Sequence, residues 1–136
     1  DDTRSLIENA IGGGGNDILI ANQTGNGLTG GAGADTFRFT SSEDVGLNGL
    51  ADIIRDFQSG SDRIDLSGID ANSGAAGNQA FTFVGGSAFT GAAGQLRYQT
   101  SGGNVQVFGD INGDGVADFQ ITLENLASHN SDAFIL

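Results

Sequence analysis

The feature that most constrains this chain is a nine-residue period in its first third. Gly12-Gly13-Gly14-Gly15-Asn16-Asp17-Ile18-Leu19-Ile20 recurs eighteen residues later as Gly30-Gly31-Ala32-Gly33-Ala34-Asp35-Thr36-Phe37-Arg38, and both follow G-G-x-G-x-D-x-U-x, with U a large apolar residue. The intervening Ala21-Asn22-Gln23-Thr24-Gly25-Asn26-Gly27-Leu28-Thr29 keeps the phase, with Asn26 in the Asp place and Leu28 in the apolar place. Extending the register puts Glu8 one unit before and Asp44 one unit after; at Ile53 it stops. A flexible linker does not hold an acid and an apolar residue in fixed phase. A stacked repeat must, because each unit buries its apolar face only against its neighbours.

The residue types explain the period. Glycines permit a tight turn whose carbonyls face inward, and the Asp adds a hard anionic oxygen. The three residues that follow form a short strand whose middle side chain, Leu19, Leu28 or Phe37, points between two sheets. Two units complete one coil, so turns eighteen residues apart share an edge. Such an edge suits calcium, which takes about six to eight oxygens. Asp17 and Asp35 are expected to face each other across one ion, with the carbonyls of Gly13, Gly15, Gly30 and Ala32 filling its shell. On the opposite edge the stack reads Glu8, Asn26 and Asp44, with Asn22 and Thr24 in the places of Gly13 and Gly15. Fewer glycines and a neutral amide predict weaker or partly filled sites there.

Composition agrees with an all-β chain of tight turns. Its 136 residues include 24 Gly and no Pro, Cys, Met or Trp, enough for one compact unit and poor material for helices. Seventeen acids against five Arg give a formal charge of −12. That charge repels nucleic acid and anionic membrane, and it makes the chain repel itself until a cation neutralises it. Without cysteine there is neither a disulfide scaffold nor a cysteine-ligated zinc site. No apolar run is long enough for a transmembrane helix. Asp1-Asp2-Thr3-Arg4 is not a basic-then-apolar signal peptide, which fits a mature fragment or another export route.

Beyond the repeats, 51–57 and 63–66 read as two short strands around the turn Gln58-Ser59-Gly60-Ser61-Asp62. Asp65 and Asp70 bracket a turn that they either cap or, as the alternative, use to chelate another ion. Residues 71–80 form a small-residue surface loop. Strands follow at 81–84, 95–100, 104–108 and 119–123, with Ser101-Gly102-Gly103 as a hairpin turn and the apolar ending Ala133-Phe134-Ile135-Leu136. This half is expected to form an antiparallel sheet that covers the strand edge left open by the repeats.

A second calcium motif lies between two of those strands. Asp110-Ile111-Asn112-Gly113-Asp114-Gly115-Val116-Ala117-Asp118 places oxygens at positions 1, 3 and 5 and Gly at 6, as in an EF-hand-type loop. The carbonyl of Val116 is the seventh ligand position. Ile121 stands at position 12, where an EF-hand has Glu, so Asp118 is the candidate closing carboxylate. The alternative is an Asp/Gly turn without an ion.

The nonapeptides, together with Ile7-Glu8-Asn9-Ala10-Ile11-Gly12-Gly13, Asp52-Ile53-Ile54-Arg55-Asp56-Phe57, Asp62-Arg63-Ile64-Asp65-Leu66-Ser67 and Ala92-Ala93-Gly94-Gln95-Leu96-Arg97-Tyr98, resemble the C-terminal calcium-binding domain of serralysin-type secreted metalloproteases, of the repeats-in-toxin (RTX) class. The resemblance covers almost the whole chain. It implies a short parallel β-roll of nonapeptide repeats with its calcium sites at 1–44. An antiparallel β-sandwich cap at 45–136, carrying a C-terminal secretion signal, continues it as one structural unit. It further implies several Ca2+ ions, a monomer secreted to the outside of a bacterium, type I secretion machinery and an upstream catalytic domain as partners, with no nucleic acid and no membrane insertion. The family often ends in an acid and three apolar residues, whereas four follow Asp132 here.

No H-E-x-x-H zinc motif occurs in the chain, and its one histidine, His129, reads as a turn residue. The expectation is therefore a non-catalytic module that folds on meeting calcium. A surface- or polysaccharide-binding accessory domain, as in RTX epimerases, lipases or adhesins, is the alternative. A general acid/base pair such as Asp52 and Asp56 would make an enzyme, but these residues read more simply as structural.

Overall fold

The computed structural model describes residues 8–47, 50–126 and 131–136. Among them are eleven strands and no α-helix: β1 (Asn9–Gly13), β2 (Ile18–Ile20), β3 (Gly27–Gly31), β4 (Thr36–Arg38), β5 (Asp52–Ile54), β6 (Arg63–Asp65), β7 (Thr82–Phe83), β8 (Gln95–Ser101), β9 (Asn104–Asp110), β10 (Phe119–Leu123) and β11 (Phe134–Ile135). One sheet has the order β1-β3-β5-β10-β9-β8-β7 and the other β11-β6-β4-β2. The expected all-β architecture, a parallel roll continued by antiparallel strands, is what the chain forms.

Successive strands alternate between the sheets, which makes the roll. β1, β3 and β5 stack in parallel on one side, and β2, β4 and β6 on the other. The apolar residue of each unit lies at a matched register position. Leu28 is paired with Ala10 and Ile54, and Ile54 with Leu123. Across the interior, Phe37 is paired with Leu19 and Ile64, and Ile64 with Phe134. Two columns of inward side chains result, buried except for the part-buried Ala10, and dry packing between them holds coils that contain only three-residue strands.

Parallel coiling does not end at residue 44. The strands at 52–54 and 63–65, read as two strands around a tight turn, pair with different sheets and form a third coil. Strict nine-residue phase misses this coil because it is longer: the corresponding residues Asn26 and Asp52 are 26 apart, and Asp35 and Asp62 are 27 apart, against 18 for Asp17 and Asp35.

The second half covers the roll on both sheets. β10 pairs in parallel with β5, and β11 with β6, so both terminal edges of the third coil are occupied. Antiparallel pairing is confined to β8, β9 and β10; β7 runs parallel to β8. Phe119, fully buried, meets Phe81 edge-on with ring centroids 5.6 Å apart. The reading of His129 falls outside the described residues, as do Asp1–Arg4 and Ile7.

Candidate metal centre

One edge of the roll carries three stacked turns, which end at Asp17, Asp35 and Asp62. Asp35 and Asp62 each reach back to the turn before. The backbone N–H of Asp17 donates to Asp35 Oδ1 (2.9 Å), and that of Asp35 donates to Asp62 Oδ1 (3.0 Å). Asp17 and Asp35 are thus brought to successive rungs, as the period requires.

Carbonyl oxygens lie close to the facing glycines between the first two turns. A Cβ on Gly31 would collide with the Gly13 carbonyl oxygen, one on Gly33 with that of Gly15, and one on Gly12 with that of Gly30. Gly31 and Gly33 also have φ of 98° and 129°, a backbone region that side chains disfavour. These glycines therefore let oxygens of one turn face the next at close range. Ala32 sits in the same turn, and its N–H donates to the Gly13 carbonyl (3.0 Å).

Asp35 supplies the orphan of this gap. Its carboxylate is buried at 1% exposure, and Oδ2 has no hydrogen-bond partner. A desolvated carboxylate oxygen is costly unless a donor or a cation meets it. With hard carbonyl and carboxylate oxygens as the donor set, the gap fits calcium, and Gly13, Gly15, Gly30, Ala32, Asp17 and Asp35 are the residues that would hold it.

The opposite edge differs from the expected stack. Asp52, not Asp44, follows Asn26: the N–H of Asn26 donates to Asp52 Oδ1 (2.5 Å). Asp44 instead closes a capping box on the 3-10 turn Ser42–Asp44, where its Oδ2 accepts from Thr40 Oγ1 (2.7 Å) and from the N–H of Ser41 (3.1 Å). Its sequence position is in phase, but its carboxylate is engaged by the inserted turn. Asn22, Thr24 and Asn26 do come together, as a hydrogen-bonded turn: Asn22 Oδ1 accepts from Thr24 Oγ1 (2.7 Å) and Asn26 Nδ2 (3.2 Å), and Asn26 Oδ1 accepts from the N–H of Asn22 (2.9 Å). Glu8 contributes its carbonyl to the N–H of Gly27 (2.7 Å) while its side chain lies on the surface.

Asp52 is fully buried, and its Oδ2 also lacks a partner. Burial pushes its carboxyl up to about 7, against the pull of the Asn26 N–H and with some help from the charge of Asp44. Burial likewise raises Asp62, with the charges of Asp35 and Asp56 adding to it. At Asp65 burial is outweighed by hydrogen bonds from Ser67 and by Arg38 (2.9 Å), so its carboxyl lies below the usual range. Asp65 and Asp70 each accept backbone N–H groups in local turns, from Ser67 and from Asn72 and Gln79. That is the capping geometry.

Asp52 and Asp56, which read as structural in the sequence, and Asp62, which reads as a turn residue, were not assigned to the roll edges by the nine-residue phase. The signal available was the D-x-U triplet, Asp52-Ile53-Ile54 and Asp62-Arg63-Ile64, which survives even where the nine-residue phase slips.

The loop after β9 folds around its own acids. Asp110, fully buried, accepts from the N–H of Gly113 (2.7 Å) and Gly115 (2.9 Å). Asp118 accepts from the N–H of Ile111 (2.6 Å) and from Asn112 Nδ2 (3.0 Å). Asn112 and Asp114 take the N–H of Asp114 and Val116, both at 2.8 Å. Among the described residues no three His, Cys, Asp or Glu side chains form a metal-holding cluster. A nonapeptide gap does not need one, since most of its oxygens come from the backbone.

Comparison with known proteins agrees with this architecture. The family model described as "Peptidase M10 serralysin C terminal" matches residues 2–136. The metallopeptidase AprA of Pseudomonas marginalis is 44% identical over 85% of this chain, which spans only 27% of that protein. Solution structures of two subunits of the mannuronan C5-epimerase of Azotobacter vinelandii are similar in fold. AlgE6R2 has 27% identity and a TM-score of 0.66 over 93% of this chain and 74% of its own; AlgE6R3 has 25% and 0.55 over 90% and 65%. The match is to the C-terminal, non-catalytic part of the peptidases, and the chain belongs to the serralysin C-terminal family of M10 peptidases.

Proposed function

We propose that this domain binds several calcium ions and couples their binding to folding, as the exported C-terminal module of a serralysin-like protease. The observation that carries the reading is the buried, partnerless Oδ2 of Asp35, in turns whose Gly13, Gly15 and Gly30 carbonyl oxygens lie close against the neighbouring turn. A bound calcium ion supplies the positive charge those oxygens require. Where calcium is scarce, the carboxylates repel one another and keep the chain extended enough to pass type I secretion machinery. Outside the cell, the free energy of ion binding becomes folding free energy. Roll and cap act as one continuous unit, secreted and monomeric, with residues 110–118 as a further site.

An upstream catalytic domain is the natural neighbour. This chain spans 27% of its metallopeptidase relative, and β1 and β2, the outer strands at the start of the roll, expose Ile11, Ile18 and Ile20.

Calorimetric titration of chelator-treated protein tests the ion. The wild type is expected to take up calcium and not magnesium, and Asp17→Ala with Asp35→Ala to lower affinity at least about tenfold, the effect of losing about 1.4 kcal/mol. Equal uptake by the double variant would contradict the assignment. The epimerase neighbours favour a second reading, a polysaccharide-binding module, for which retardation on an alginate gel is the test. Retention that persists in chelator would favour it.

A further inference from the structure

The three stacked turns should be equivalent, but the middle one is wired differently. In the first, Asp17 Oδ2 accepts the N–H of Gly13, the second residue of its own turn (2.6 Å). In the third, Asp62 Oδ2 accepts the N–H of Gln58 from its own turn (2.8 Å). By that pattern Asp35 Oδ2 should accept the N–H of Gly31. It does not, because Asp56 reaches across from the third coil and takes the N–H of Gly30 with one oxygen and that of Gly31 with the other, both at 2.8 Å. Asp35 Oδ2 is left buried and unpartnered.

We infer that Asp56 is a positioning residue for the ion in the first gap: by occupying the Gly30 and Gly31 amides it prevents Asp35 from satisfying itself and keeps one carboxylate oxygen available as a ligand. The Gln58 side chain holds the same two turns together by a different bond, from Nε2 to the Gly31 carbonyl (2.9 Å). It leaves the Gly31 N–H untouched. Substituting Gln58 therefore loosens the junction without changing the bonding options of Asp35, whereas substituting Asp56 changes both. The inference rests on calcium binding in this gap. It adds that a residue absent from the nonapeptides, one coil away, sets the affinity there.

The test is calcium calorimetry on the whole domain with three variants. Asp56→Asn, which can satisfy only one amide, is expected to weaken the tightest site about tenfold, while Gln58→Ala stays within about twofold of wild type. Asp56→Glu, which keeps the charge and both oxygens, is expected to recover most of the affinity. An unchanged affinity in Asp56→Asn, or an equal loss in Gln58→Ala, would overturn the positioning role while leaving calcium binding intact. Failure of the wild type to bind calcium would instead remove the underlying reading and the inference with it. If Asp56→Asn is too unstable for calorimetry, the calcium dependence of its urea midpoint decides: a response smaller than that of wild type, restored in Asp56→Glu, supports the role, and a wild-type response in Asp56→Asn overturns it.

Discussion

Single carboxylates on the two edges of the roll carry its response to solution conditions. Asp52 has a folded value of about 7 against an ordinary 3.8, because burial disfavours its charge. Between those values the folded chain holds a proton that the unfolded chain has released, so without calcium stability must fall as pH rises through this window. Asp62 acts in the same direction. Asp65 acts in the opposite one: its depressed carboxyl stabilises the fold above the usual carboxylate range, and that contribution is lost on further acidification. At a fixed calcium concentration near the folding midpoint, the β-signal is therefore expected to decline from about pH 5 to about pH 7. Asp52→Asn retains the acceptor for the Asn26 N–H and should flatten that decline; an unchanged slope would mean that Asp52 is not the titrating group.

At the scale of elements, strands of three residues persist because each places one side chain in a shared column. Phe37 is fully buried between Leu19 and Ile64 in register and lies against Phe57, with ring centroids 6.2 Å apart. Phe37→Ala should cost about 3–5 kcal/mol in urea unfolding with calcium present. Ile18→Ser, beside the buried Leu19 but 58% exposed, should stay within about 0.5 kcal/mol. Comparable losses in the two variants would refute the column as the source of coil stability. The columns also explain what was legible in the sequence. Leu19, Leu28 and Phe37 could be assigned inward because glycine turns fix their phase, and β8 to β10 because alternation and the Gly102-Gly103 turn mark them. The third coil was obscured because its turn, Asp56 to Asp62, has lost all but one glycine and because Asp44, though in phase, caps an inserted 3-10 turn. Asp52 follows Asn26 on that edge, a place that its D-x-U triplet signals and the pairing of β3 with β5 fixes.

For the whole molecule, a formal charge of −12 on 136 residues opposes compaction, and several of the acids responsible are confined to the roll edges and the loop after β9. The cap is joined to the roll through β10 on β5 and β11 on β6. Whether ion binding drives folding is decided by far-ultraviolet circular dichroism of chelator-treated protein titrated with calcium, with magnesium as the control. A calcium-specific transition from coil to β-structure, shifted to higher calcium by Asp17→Ala with Asp35→Ala, is the predicted result. A chelated protein that already shows its full β-signal and does not respond to calcium would contradict the account.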